Sequence, residues 1–214
     1  MSDMKISNPP NSAFLTEFKK TLDAHGGPAK QCRFAVKIHP IKNNQLLAKG
    51  YSSLLNDMVL LCESVEFPSR GMDYVEARYY GPNIQMPTNS KYAQQADLVF
   101  ICRTQSYERQ MFDDWMEIIN PSQTFDFNYL DQYESEIQIF QFSDYESAKD
   151  SKVMEPEYQW TLLRAYPLQV HAQPVTWTDQ DILKLAVTFS YRYWFRPGID
   201  DQGVTQGRIT GVNP

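Results

Sequence analysis

The chain has 214 residues, 42 % of them apolar and 14 % aromatic, with 13 Tyr and 12 Phe; this length can bury a core without disulfides or metals, and the aromatic share points to sheet. Cys32, Cys62 and Cys102 show no CxxC spacing and His25, His39 and His171 no ligand spacing, which argues against a disulfide framework and a metal site and leaves the cysteines as small buried residues. The formal charge of -6 is concentrated between Glu108 and Glu157, where 13 acidic residues face three basic ones, an arrangement opposed to gripping nucleic acid.

Residues 1–11 contain Asn8-Pro9-Pro10-Asn11 and read as an extended arm. Ser12 caps a short helix over about 12–24 with Phe14, Leu15, Phe18 and Leu22 on one face, ended by Gly26-Gly27-Pro28. That face packs either on its own core or on a neighbouring subunit. No apolar run of about 18 residues occurs, and Met1 to Pro10 lacks a secretory pattern, so folding in a cytosol is expected.

Arg33 to His39 alternates, with Phe34, Val36 and Ile38 on one side, and predicts a half-buried strand. Leu46 to Asp57 is ambiguous between loop and helical turn. Met58 to Phe67 reads as a strand ended by Pro68 and Gly71. Met72 to Tyr80 and Ala96 to Cys102 read as two strands that would pair as a hairpin, with the Gly81-Pro82 turn and a polar loop over Thr88 to Gln95 between them.

Tyr107 to Ile119 is the clearest helix. Met111, Phe112, Trp115, Ile118 and Ile119 form a stripe suited to a sheet, opposite Glu108, Asp113, Asp114 and Glu117. Glu136 to Phe142 alternates again, Phe142 to Pro156 is a polar acidic loop, and Tyr158 to Ala165 is a strand separated by Pro167 from Leu168 to His171. Asp181 to Phe195 is the strongest strand: Leu183, Leu185, Val187, Phe189, Tyr191 and Tyr193 point one way and Lys184, Ala186, Thr188, Ser190 and Arg192 the other. Arg196 to Pro214 has no period and reads as a tail.

The signatures GxSxG, HExxH, the P-loop and GxGxxG are absent, and no cofactor or enzyme activity is expected. Glu134 with Glu136 would share one face of a strand about 7 Å apart, as in some inverting glycosidases. Trp160, Trp177 and Trp194 would suit a sugar-stacking platform. These two features keep a glycosidase and a carbohydrate-binding adhesin as readings of other classes.

Several segments, in order and spacing, resemble the tail tube protein family of contractile phages of the T-even type. They are the helix Ser12 to Leu22, Arg33-Phe34-Ala35-Val36-Lys37-Ile38, and Cys62-Glu63-Ser64-Val65-Glu66-Phe67-Pro68-Ser69-Arg70-Gly71. Next come Arg78-Tyr79-Tyr80-Gly81-Pro82, Leu98-Val99-Phe100-Ile101-Cys102 and Phe112-Asp113-Asp114-Trp115. Ala165-Tyr166-Pro167 and Leu185 to Trp194 complete the match.

The resemblance implies a mainly β, antiparallel sandwich or barrel-like fold with a flanking helix at about 107–119. It implies three regions: an arm and short helix over 1–30, the β domain over 31–195, and an extension over 196–214. It further implies hexameric rings stacked into the inner tail tube of a virion, assembled in the host cytoplasm without membrane contact. The implied partners are other copies of the chain, the sheath, baseplate and terminator proteins, and the tape measure protein and passing DNA in the lumen. On this picture Lys184, Ala186, Thr188, Ser190 and Arg192 would face the lumen, and the lumen would be acidic, since DNA slides past a surface that repels it. The segments after Trp194 and around Phe142 to Glu157 leave tail tube and baseplate tube initiator as alternatives.

Overall fold

Periodicity in the sequence becomes a mainly β, antiparallel architecture in the computed structural model, which describes residues 12–23, 29–40, 45–78, 80–142, 156–178 and 180–197. The arm at 1–11, the loop at 143–155 and the tail from 198 onward lie outside the described residues. The chain divides into two units, residues 1–34 with 141–157 and residues 35–140 with 158–214. The first contains helix α1, Ser12–Asp23, on which Leu15 and Phe18 are exposed, and a bond from the Phe142 N–H to the Arg33 carbonyl at 3.1 Å.

Most of the main sheet belongs to the second unit. Strand β1 is Phe34–Pro40, β2 Cys62–Val65, β5 Gln95–Ile101, β6 Ser135–Phe142, β7 Pro156–Val170, β8 Lys184–Ser190 and β9 Tyr193–Phe195. Their order is β1-β6-β7-β8-β5-β2, with β9 against β7. Alternation explains the register of the centre: Ala96, Leu98 and Phe100 oppose Phe189, Val187 and Leu185, and all six are buried, because a period of two places every second side chain on the core face.

Helix α4, Tyr107–Ile119, covers that face. Phe112 lies 5.5 Å from Phe100 and 5.9 Å from Phe189, and Trp115 6.0 Å from Phe189. The Trp115 indole N–H donates to the Tyr133 carbonyl at 2.8 Å, so the largest core ring buries no unpaired donor.

Strand β7 serves two partners. Thr161 to Leu163 pair with β9 and Tyr166 to Val170 with β8. Between the two stretches Arg164 takes φ 54°, a left-handed residue at the point where the strand changes partner. The expected stop at Pro167 does not occur. Proline, which has no N–H to give a ladder, instead sits where the register shifts between Pro167 and Gln169, the position a bulge makes tolerable.

Other expectations are corrected. Met58 to Leu61 belongs to helix α3, Ser52–Leu61, and only four residues of the predicted strand are extended. Leu54, Leu55 and Met58 are buried on one helical face, whereas a run of large apolar residues reads alike for strand and helix. Gly50, at φ +87°, separates α3 from the short α2, Gln45–Ala48, as a glycine past a helix end does.

Met72 to Tyr80 does not pair with Ala96 to Cys102. Strand β3, Arg70–Ala77, pairs with β4, Ile84–Tyr92, in a separate two-stranded sheet. Thus Thr88 to Tyr92 is strand, and the Gly81-Pro82 turn, with Gly81 at φ +92°, is the hairpin tip. The predicted last strand breaks at Tyr191 and Arg192, and Tyr193 is exposed. The cysteines are also less covered than expected: Cys32 is exposed and Cys62 and Cys102 are partly so.

Candidate assembly surfaces

The β3–β4 hairpin is bonded to the rest of the chain at its root and uncovered toward its tip. At the root the Ala93 N–H donates to the Ser69 carbonyl at 3.2 Å, the Trp194 indole donates to the same carbonyl at 3.3 Å, and the Arg70 guanidinium lies 5.1 Å from the Tyr92 ring centre. The Tyr92 ring meets Trp194 edge-on at 5.9 Å. Toward the tip, Val75 opposes Met86 and Ala77 opposes Ile84, so these four share one face. Val75, Ile84 and Met86 are all exposed, as is Tyr74 on the other face.

The non-core face of β8 carries Lys184, Ala186, Thr188 and Ser190 beside Ile101, Val99, Asp97 and Gln95 of β5. The Thr188 hydroxyl donates to Asp97 Oδ1 at 2.5 Å, so its lone pair accepts from His171 Nε2 at 3.0 Å, a tautomer fixed by that single hydroxyl proton. Lys184 pairs with Glu63 at 2.5 Å. Arg192 is not on this strand: its N–H donates to the Leu163 carbonyl at 3.0 Å, and its side chain lines an open cleft of about 640 Å³ with Asp73 and residues 90–95.

Met111, Phe112, Trp115, Ile118 and Ile119 are buried on the inner side of α4. Glu108, expected on the solvent side, is buried too. Its carboxylate accepts from Arg103 Nε at 2.5 Å and from the Arg103 backbone N–H at 3.2 Å, and Arg103 also reaches Asp57 at 3.1 Å. An acidic residue in the first turn of a helix, five residues after an arginine, was the available signal for this arrangement.

The carboxylates singled out in the sequence do not share a strand face. Glu134 follows the short α5, Leu130–Tyr133, ahead of β6, and lies 3.5 Å from Arg164. Glu136, on β6, accepts from Gln138 at 2.8 Å. Asp113 pairs with Arg109 at 3.0 Å, and Asp114 with Lys49 at 3.4 Å and with the Tyr51 hydroxyl.

The tryptophans have different surroundings. Trp160 stacks on Phe67 at 4.3 Å and meets Tyr158 at 4.4 Å. Trp194 sits at the hairpin root, while Trp177 is fully exposed.

The fold has solved counterparts. An extracellular contractile injection system, the PVC sheath/tube terminator in the extended state, includes a chain that is similar at 17 % identity over 80 % of this chain and 97 % of that one, with a TM-score of 0.53. A chain of the PVC sheath–tube complex in the extended state is similar at 17 % identity over 88 % and 98 %, with a TM-score of 0.52. A chain of the anti-feeding prophage baseplate gives 13 % identity over 80 % and 97 %, with a TM-score of 0.51. No curated protein matches the chain. The family model described as phage tail tube protein matches residues 29–197, so the chain belongs to the phage tail tube protein family and is a component of a phage tail.

Proposed function

We propose that the chain forms hexameric rings that stack into the inner tail tube, the conduit for genome delivery in a contractile phage, and that it works without catalysis. The observation that carries this reading is the β3–β4 hairpin, anchored at its root and exposing Val75, Ile84 and Met86 on one face. A lone two-stranded hairpin is marginal in water, and covering each such side chain is worth about 1.5–3 kcal/mol at most. A neighbouring copy supplies that cover repeatedly in a ring or stack. Exposed Leu15 and Phe18 on α1 fit the same need.

In this reading Lys184, Ala186, Thr188 and Ser190 face the lumen. On that face the Lys184 charge is offset by Glu63, and Asp97 keeps its negative charge while accepting from Thr188, so a slight acidic excess among small polar groups lets DNA pass without a specific grip. Sheath, baseplate and terminator proteins are the outer and end partners, with the tape measure protein and DNA inside.

Negative-stain electron microscopy of the purified protein should show rings or tubes of uniform diameter, and Val75→Asp with Ile84→Asp should leave folded monomers with unchanged circular dichroism. Monodisperse wild-type monomers at high concentration, or normal assembly of the double variant, would defeat the proposal. The likeness to a sheath/tube terminator chain favours a second reading within the tail, a ring at one end of the tube. A baseplate tube initiator is the other such ring. Rings that form without elongating alone would support an end ring.

A further inference from the structure

Strands β5 and β8 run together from Gln95 opposite Ser190 to Ile101 opposite Lys184, a span of about 20 Å at the usual rise per residue. Their two ends carry unlike surfaces. At the Ile101 and Lys184 end, the connection from β7 to β8 is held at both feet. The His171 N–H donates to the Ala186 carbonyl at 3.0 Å, Gln173 Nε2 donates to the Lys184 carbonyl at 3.0 Å, and the Cys102 N–H donates to the Leu183 carbonyl at 3.0 Å. Between these feet Val175, Trp177 and Ile182 are exposed, Trp177 completely. Asp181 is exposed beside them, and residues 174–182 contain no cation.

At the Gln95 and Ser190 end lies the cleft of about 640 Å³, large enough to take a bulky aromatic side chain. Lys91 and Arg192 on its walls are exposed, and among the described residues neither forms an ion pair. Asp73 alone offsets them, so the cleft is cationic on balance.

Building on the self-assembly reading above, we infer that the Trp177 knob of one copy seats in the Lys91/Arg192 cleft of the next. The Arg192 guanidinium lies against the indole, where a cation gains from the ring face, and Lys91 pairs with Asp181. The occupant is a second copy of this chain. Knob and cleft are opposite in charge on one molecule, and the exposure of Trp177 means that it does not fill the cleft of its own subunit. Because the two surfaces sit at opposite ends of the same strands, the contact is heterologous and head-to-tail, a geometry that builds an open stack unless its rotation closes. It is the elongation contact between rings and takes in the hairpin root, Asp73 and residues 90–92, whereas the Val75, Ile84 and Met86 face toward the tip is left to the contact within a ring.

The test compares polymerisation of the wild type, Trp177→Ala, Asp181→Lys, Lys91→Glu and the Asp181→Lys/Lys91→Glu pair by sedimentation and electron microscopy. Loss of an interface tryptophan should raise the concentration needed for tubes at least roughly tenfold while rings persist. Each single charge reversal should weaken stacking, and the pair should restore it. Circular dichroism should be unchanged, since Trp177 contributes nothing to the core. Trp177→Ala elongating at the wild-type concentration overturns the inference, as does a charge-swapped pair no better than its singles. Wild-type rings that never stack overturn it too and leave the ring proposal standing. Absence of rings altogether removes the proposed function itself.

Discussion

Ser106 enters helix α4 at φ 51°, and its side chain makes no cap hydrogen bond. A left-handed conformation costs a non-glycine residue about 1–2 kcal/mol, so Ser106→Gly should raise the melting temperature or leave it unchanged, as calorimetry would show. Trp115 lies at the other extreme: it is wholly buried with its indole satisfied, and Trp115→Ala should cost about 3–5 kcal/mol in chemical denaturation. Burial pushes the Cys62 thiol from 9.0 up to about 12 and the Tyr191 hydroxyl from 10.0 up to about 12. The unfolded chain releases these protons first, so the stability they contribute is complete below about pH 9 and is lost as pH rises toward 12. Denaturant midpoints at pH 8, 9.5 and 11 should therefore fall in order, and Cys62→Ala should reduce the early part of the fall.

Strands β1 and β8 and helix α4 were legible in the sequence, because each buries one face and leaves a period of two or of three to four. The hairpin was misread for the same physical reason. Every residue of β3 from Arg70 to Glu76 is exposed, as is β4 from Ile84 to Lys91, so no core wrote an alternation into them. The register shift at Pro167 and the break at Tyr191 arise from pairing with distant strands, which local pattern does not record. The cleft was equally invisible, since its walls come from Asp73, residues 90–95 and Arg192. Trp177 could be singled out, though only as one of three tryptophans whose surroundings proved different. At this scale, amides of β3 and β4 should exchange with deuterium far faster than those of β5 and β8 in dissociated protein. Assembly should slow the hairpin amides selectively; equal exchange before and after assembly would count against the hairpin as an interface.

For the whole molecule, the lumen assignment predicts a difference in access by size. In a Cys32→Ser background, which removes an exposed thiol, Ala186→Cys should react with a small maleimide in both dissociated protein and tubes. A large polymer-linked maleimide should label it only when dissociated, and full labelling in tubes would place β8 on the outside. The strand order also imposes a sequence of events in time. β8, residues 184–190, lies between β7 and β5 at the middle of the sheet, yet among the described strands only β9 is made after it. While the ribosome is still short of residue 190, the β1-β6-β7 half and the β5-β2 half have no strand to join them. The nascent chain therefore holds two incomplete sheets with open edges until nearly all of the fold has been synthesised, and pairing over such sequence distances is slow. Late closure of this kind keeps the β5–β8 face and the ends of those strands unformed during synthesis, so that under the proposed assembly a subunit would become competent to stack only once its own core is complete.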